Sequence, residues 1–173
     1  MDRSKSKDSS SPTEFANCNE KSSAKAFAAA LRVLTRRDRS ETELRQKLDQ
    51  FGFSLSAIDS AVAKCREYNY LDDNRYAIER ARSLMRTGRG VGSKIRFDLH
   101  RRGIDETIIH QALATAEKEF SAADLLREQL NRRFSTFSYA TADNRERRRV
   151  IGFFQRRGFP LEQIFTILKE DQK

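Results

Sequence analysis

The sequence predicts an all-α fold: three tandem three-helix repeats stacked as an elongated, curved array. Two observations carry this reading, an internal repeat phased on glycine and helix-start signals placed where that repeat needs them. Aligned on Gly52, Gly103 and Gly158, the chain has Leu44, Ile95 and Val150 eight residues before the glycine. Leu48, Leu99 and Phe154 stand four before it, and Phe53, Ile104 and Phe159 follow it directly. Ile58, Ile109 and Ile164 come six after, and Val62, Leu113 and Leu168 ten after. All of these flanking positions are apolar in a chain that is 38% hydrophobic. Independent positions in one fixed register would match this way about once in two million.

The spacing has a physical cause. Apolar residues at minus eight and minus four share one helical face, as do those at plus six and plus ten on a following helix. The glycine marks where the first helix stops, because a residue without Cβ enters the left-handed conformation at little cost. In that C-terminal motif the residue after the glycine packs back on the one four before it. Leu48–Phe53, Leu99–Ile104 and Phe154–Phe159 supply the contact three times.

The elements follow in order. Residues 1–24 are Ser/Lys/Asp-rich with Phe15 as the one large apolar side chain. Such a leader buries too little surface to offset the entropy of ordering, so disorder is expected there. Repeat 1, residues 25–69, opens with Phe27, Ala30, Leu31 and Leu34 on one helical face. Arg36, Arg37 and Arg39 gather at that helix's C-terminal end, where cations suit the dipole. Ser40 with Glu43 forms a capping box for a helix to Gln50 or Phe51. Ser56 with Asp59 is expected to start the third helix, ending near Asn69.

Repeat 2, residues 70–119, opens on Asp72 and Asp73, carboxylates suited to a helix start. Ala77, Ile78, Ala81, Leu84 and Met85 face inward, and Arg75, Arg82 and Arg86 share the opposite face, interrupted by Glu79. The Gly88–Ser93 loop, with three glycines, leads to expected helices 93–102 and 105–119. Repeat 3, residues 120–173, begins near Ser121, with Leu126, Leu130 and Phe134 at i, i+4 and i+8. A loop from Ser138 to Thr141 precedes an expected helix 142–157, and Pro160 is allowed in the first turn of the last one.

Composition narrows the function. Among 173 residues, Lys and Arg number 34 against 25 Asp and Glu, a formal net charge of +9. The excess is mostly arginine, whose planar fork suits phosphate or carboxylate. A basic balance points to nucleic acid or an acidic protein partner. No apolar run approaches a membrane span. The polar, mixed-charge start is unlike a signal or transit peptide, so a cytoplasmic protein is expected. Of the two cysteines, Cys18 lies in the leader. Cys65 continues the Ile58–Val62 stripe and reads as a small buried side chain.

Enzyme chemistry finds little support. Asp72 and Asp73 read as caps, for no second acidic cluster accompanies them. His100 and His110 lack a partner at nucleophile or metal-ligand spacing. The glycine loop before Lys94 follows a helix rather than a strand and lacks the Gly-Lys-Ser/Thr order of a phosphate loop. No catalytic residue, cofactor or metal is expected. A base-reading helix-turn-helix fits poorly too. The first turns that would enter a groove carry Asp59, Asp105, Glu106 and Glu162, which phosphates repel. The cations lie earlier in each repeat. From Arg75 to Arg102 there are nine Arg/Lys against two acids, and from Arg145 to Arg157 six against one. A solvated charged face is the plain alternative for any single residue. Two dense basic segments in successive repeats favour a binding module that grips a long, repetitive target.

At these residues the chain resembles a known family. Tyr70-Leu71-Asp72-Asp73 with Arg75-Tyr76-Ala77, Gly90-Val91-Gly92 with Ile95 and Leu99, and Arg102-Gly103-Ile104 look like the signature of the RecX family, regulators of the bacterial RecA recombinase. Phe153-Phe154 with Gly158-Phe159, and Ser40-Glu41 with Glu43-Leu44-Arg45 and Lys47-Leu48, match as well. The resemblance spans about Ala26 to Glu170 and leaves out the leader. It implies a cytoplasmic, non-enzymatic protein of three-helix repeats that lodges in the RecA–DNA filament groove and blocks filament extension. It also implies promotion of filament disassembly and restraint of strand exchange and ATP hydrolysis. The family supplies no catalytic residues, so the expected contact residues rest on this chain's charge pattern. They are Arg82, Arg86, Arg89, Lys94, Arg96, Arg101 and Arg102 in the second repeat, and Arg147, Arg148, Arg149, Arg156 and Arg157 in the third. The expected partners are the RecA filament and single- or double-stranded DNA, and no membrane. Mutual repulsion of the basic faces favours a monomer. The competing reading is a helical-repeat module that binds naked DNA.

Overall fold

The computed structural model describes residues 12–170, with side chains from Ser22 onward. Among these residues there are nine helices and no strand. They are α1 (Pro12–Arg36), α2 (Glu41–Gln50), α3 (Leu55–Glu67), α4 (Asp73–Arg86), α5 (Gly92–His100), α6 (Glu106–Glu119), α7 (Ala122–Arg133), α8 (Asn144–Gln155) and α9 (Leu161–Glu170).

The glycine stops are built alike. Gly52, Gly103 and Gly158 have φ of +81°, +72° and +91°. Each glycine amide donates to the carbonyl three residues back, and the next amide donates to the carbonyl five back: Phe53 to Leu48 at 3.3 Å, Ile104 to Leu99 at 3.2 Å, Phe159 to Phe154 at 3.3 Å. This paired bonding satisfies carbonyls that a helix end leaves open. The accompanying apolar contact is clearest in the third copy, where the Phe154 and Phe159 rings meet edge to face at 5.6 Å. The same pair of bonds ends α3 at Asn69 (φ +56°) and α4 at Gly88 (φ +61°). Asn tolerates that conformation better than other side chains with a Cβ. Of the flanking repeat positions all are buried except Phe53, which is half-buried.

Starts fall close to where the sequence indicates, with shifts: α5 runs from Gly92 to His100 rather than over 93–102, with no side-chain cap at Val91, and α8 from Asn144 to Gln155 rather than over 142–157. Ser40 and Glu43 form the expected capping box. Ser121 caps α7 and Asp143 caps α8. The cap of α3 is Ser54, whose Oγ accepts from the Ala57 amide at 3.4 Å, rather than Ser56. Starting there lengthens the helix by about half a turn, and Ser56 Oγ instead sits 3.2 Å from Ser54 Oγ. Pro160 stands just before α9, its carbonyl accepting from the Ile164 amide. Helix α1 begins at Pro12, so from there on the expected disordered leader is helix; residues 1–11 lie outside the described residues. Once nucleated, a helix propagates at little cost per residue. A polar segment joined to a packed helix therefore need not bury surface of its own.

The chain divides into two compact units, residues 1–72 and 73–173. In the first, Ala26, Ala29, Ala30 and Val33 of α1 pack with Leu44, Leu48, Ala57, Ile58, Ala61, Val62, Cys65 and Leu71. The α1 face is thus centred on alanines, with Phe27 and Leu34 at its margin, because small side chains let helices approach closely. In the second unit, residues of both the second and third helix triplets form one continuous core, from Ala77 through Ile109 and Leu126 to Phe154 and Leu168.

Candidate partner-binding surface

Within the second unit the glycine loop between α4 and α5 docks on the turn between α8 and α9. The Val91 amide donates to the Arg157 carbonyl at 2.8 Å, Arg157 Nε donates to the Gly88 carbonyl at 3.2 Å, and Ser93 Oγ lies 3.4 Å from the Gly158 carbonyl. Gly158 permits this approach, and Gly88 permits that of the same loop to Gln129 of α7. A Cβ on Gly158 would fall 2.3 Å from the Val91 carbonyl oxygen, and one on Gly88 would overlap the amide of Gln129, which is 4% exposed. The docking brings the basic segment around Arg89 and Lys94 against the one that holds Arg156 and Arg157. Arg148 and Arg149 lie farther back along α8, roughly 10–12 Å from Arg156 at the usual helical rise.

The expected contact residues fall into two sets. Arg86, Arg89, Lys94, Arg101 and Arg156 are exposed and form no ion pair among the described residues. Arg148 is exposed and donates to its own helix at the Asn144 carbonyl. Arg96 meets Glu106 at 2.8 Å and Arg149 meets Glu146 at 3.7 Å, both near water and weakly held. The other four brace the fold. Arg82 pairs with Glu119 and with Glu79, which raises its pKa, Glu119 contributing most. Arg102 donates to Asp98 at 2.9 Å and to the Tyr76 hydroxyl at 3.0 Å. Arg147 donates to the carbonyls of Tyr139 and Ala140 and lies over the Tyr139 ring, pinning the loop before α8. Arg157 lies 3.5 Å from the Phe153 ring centroid; burial, with Arg133 and Arg156 nearby, lowers its pKa.

One residue of this surface escaped the charge pattern. Phe97 is 56% exposed on α5, with Lys94 Nζ 5.7 Å and the Arg101 guanidinium 5.8 Å from its ring centroid. The signal lay in the spacing, since residues 94, 97 and 101 share one helical face. An exposed aromatic between two cations offers a stacking platform beside phosphate-binding groups. The acids at the starts of the third helices are used locally. Asp59 pairs with Arg45 and Glu106 with Arg96. The Asp105 carboxylate caps α6, held below its usual pKa by the Thr107 hydroxyl and amide.

Tandem three-helix domains, with no helix among the described residues long and apolar enough to cross a membrane, define an all-α repeat protein. Three family models match in order: RecX, first three-helix domain, over residues 26–65; the second over 72–113; and the third over 121–168. The chain belongs to the RecX family. The regulatory protein RecX of Syntrophotalea carbinolica is 42% identical over 147 residues, covering 85% of this chain and 96% of that one. The regulatory protein RecX of Trichlorobacter lovleyi is 35% identical, covering 83% and 94%. Two crystal structures share the fold. A regulatory protein RecX superposes with a TM-score of 0.75 at 23% identity, covering 95% of this chain and 80% of that one. RecX from Lactobacillus salivarius gives 0.67 at 24%, covering 87% and 97%.

Proposed function

We propose that this chain is a non-enzymatic, cytoplasmic regulator that binds the RecA–DNA filament as a monomer. There it inhibits filament extension, ATP hydrolysis and strand exchange, and so tunes recombination and DNA repair. The observation that supports the reading is the Val91–Arg157 junction, which brings together two basic segments far apart in sequence, five of whose cations are exposed and form no ion pair among the described residues. Family membership supports the partner. A nucleoprotein filament offers the repeated phosphates and carboxylates such a surface fits. The cations that do the gripping are Arg86, Arg89, Lys94, Arg101 and Arg156, because their charge is not spent inside the fold. A second reading, a module for naked DNA, draws on Phe97 between Lys94 and Arg101.

One comparison separates them. Binding to bare single-stranded DNA and to RecA-coated DNA is measured at a single salt concentration, alongside inhibition of RecA ATP hydrolysis. The filament reading expects preference for the coated strand and loss of inhibition in an Arg86→Glu, Arg89→Glu, Arg101→Glu variant with unchanged helicity. Equal or stronger binding to bare DNA, with equal inhibition of an unrelated strand-coating protein, establishes the second reading instead. Full inhibition by the triple variant removes this surface from either.

A further inference from the structure

We propose that a basic cleft at the C-terminal end of α1 is a binding site for an acidic peptide segment that carries one large apolar side chain. The cleft lies wholly within the first unit and has a volume of about 370 Å³. Its floor is apolar, made by Ala29 and Val33 of α1 and by Phe53 after the α2 glycine stop. Phe53 breaks the repeat's rule: its counterparts Ile104 and Phe159 are each 4% exposed, whereas Phe53 is only half-buried and faces this cleft. An apolar position that closes the core in two repeats thus remains open in the first.

The rim is cationic. Arg32, Arg36, Arg39 and Lys47 line it, and no acidic side chain does. Three nearby carboxylates are engaged elsewhere, Glu41 with Arg45 and Arg66, Asp59 with Arg45, and Glu43 with Arg37, while Asp38 and Asp49 are exposed and do not line the cleft. Arg39 adds a second, independent sign. Its Nε is buried and finds no hydrogen-bond partner among the described residues, a condition that costs stability unless an acceptor arrives. Beside it Lys47 Nζ sits 5.0 Å from the ring centroid of Phe51, itself 51% exposed.

This chemistry selects the occupant. Every polar side chain lining the cleft is a hydrogen-bond donor. A nucleobase edge presents donors as well as acceptors and would leave its donors facing cations. Carboxylates and phosphates only accept, and the guanidinium fork binds either two bonds at a time, so it is the apolar floor that favours a peptide over a nucleic-acid strand. The apolar floor then takes one aliphatic or aromatic side chain of the same peptide. The volume suits an anchor of that size rather than a folded domain. The site and the surface assigned to the filament belong to different units of the chain, and the one does not rest on the assignment of the other.

The test uses the full chain and three fluorescein-labelled probes at one salt concentration. They are a decapeptide of Asp and Glu with a central Leu-Phe, the same peptide with Ser-Ser in place of Leu-Phe, and an oligothymidylate of equal length. Fluorescence anisotropy is expected to show the Leu-Phe peptide bound about tenfold more tightly than its Ser-Ser counterpart. Arg39→Gln, and separately Arg32→Glu with Lys47→Glu, are expected to weaken it about tenfold or more. Arg32 is exposed, and the Lys47 hydrogen bond to Gln50 lies in solvent, so their variant keeps the question open should Arg39→Gln unfold the unit. Equal binding of the two peptides overturns the proposal, as does oligothymidylate binding that falls with the same substitutions. Unchanged affinity in the Arg32/Lys47 variant also overturns it. No filament or recombinase is present, so the outcome is independent of the proposed function.

Discussion

The amide of Val91 donates to the carbonyl of Arg157 at 2.8 Å, and this bond joins the glycine loop of the second triplet to the glycine stop of the third. Both partners are backbone groups, so the contact depends on how closely two chain segments approach. The residue that decides the approach is Gly158. Its α-carbon faces the Val91 carbonyl and the Lys94 amide with no room for a side chain.

Gly158→Ala and Gly52→Ala therefore differ although both glycines end helices in the left-handed conformation. Gly52 has open space around a would-be Cβ. Its replacement meets only the backbone cost of about 1 kcal/mol. At Gly158 the same cost is joined by a clash with backbone atoms, for a total of about 3 kcal/mol or more. Urea titration read by hydrogen exchange of the segment around each glycine measures the two separately. Equal losses would mean that the loop and the turn are not in contact.

Asp98 supplies the second prediction. It accepts from Arg80 at 2.8 and 3.1 Å and from Arg102 at 2.9 Å. Burial alone would raise its pKa, but the hydrogen bonds from the two arginines outweigh it and hold the carboxylate below its ordinary value. A carboxyl whose pKa falls on folding stabilises the protein above its unfolded value of about 3.9, and that contribution disappears as pH drops through the folded value. Asp98→Asn should cost about 1–2 kcal/mol at neutral pH. The gap from wild type should stay constant down to about pH 5 and close below about pH 4. Denaturant midpoints collected across that range give the curve, and a gap that widens in acid contradicts the assignment.

What the sequence disclosed and what it hid divide along a physical line. Glycine stops and apolar spacing are local, so Gly52, Gly103 and Gly158 were legible from order alone, as were the cap at Ser40 and the start of the third repeat near Ser121. The true cap of α3 was hidden because Ser54 and Ser56 both precede an apolar run, and only the packed length of the helix chooses between them. The merged core of the second and third triplets was hidden as well. It depends on the absence of a side chain at Gly88, which lies against Gln129, and at Gly158, which lies against Val91 and Lys94, contacts between segments far apart in sequence. Charge counting placed the basic surface but could not sort it. Arg102 and Arg157 look like Arg101 and Arg156 in sequence, and only the partners Asp98, Tyr76 and Phe153 set them apart.

Salt dependence tests whether the exposed cations meet phosphate. Each phosphate contact on a single strand releases counterions and adds about 0.7 to the slope of log affinity against log salt. Arg89→Gln with Lys94→Gln should lower that slope by roughly 1.4 for binding to DNA-containing targets. The slope is obtained by repeating the binding titration across salt concentrations. Weaker binding with an unchanged slope would place these two residues against protein rather than phosphate.

Arg82 and Arg86 give the sharpest contrast, because one helix carries both and the charge pattern treats them alike. Arg82 is enclosed by Glu79 and Glu119, so Arg82→Glu gathers three carboxylates and loses the tie between α4 and α6. Its first effect should be on folding, a lowered Tm that high salt partly restores as the repulsion is screened. Arg86 has no such partner, so Arg86→Glu should leave the Tm unchanged and weaken partner binding. A further change, Glu119→Arg in the Arg82→Glu background, reverses the pair and should recover stability lost in the single variant, whereas in the Arg86→Glu background, where Arg82 keeps its charge, it breaks the tie and should lower the Tm. Thermal unfolding and binding measured on all four proteins decide the matter. If Arg82→Glu keeps its Tm and loses only binding, the contact with Glu119 is incidental and Arg82 belongs with the gripping cations.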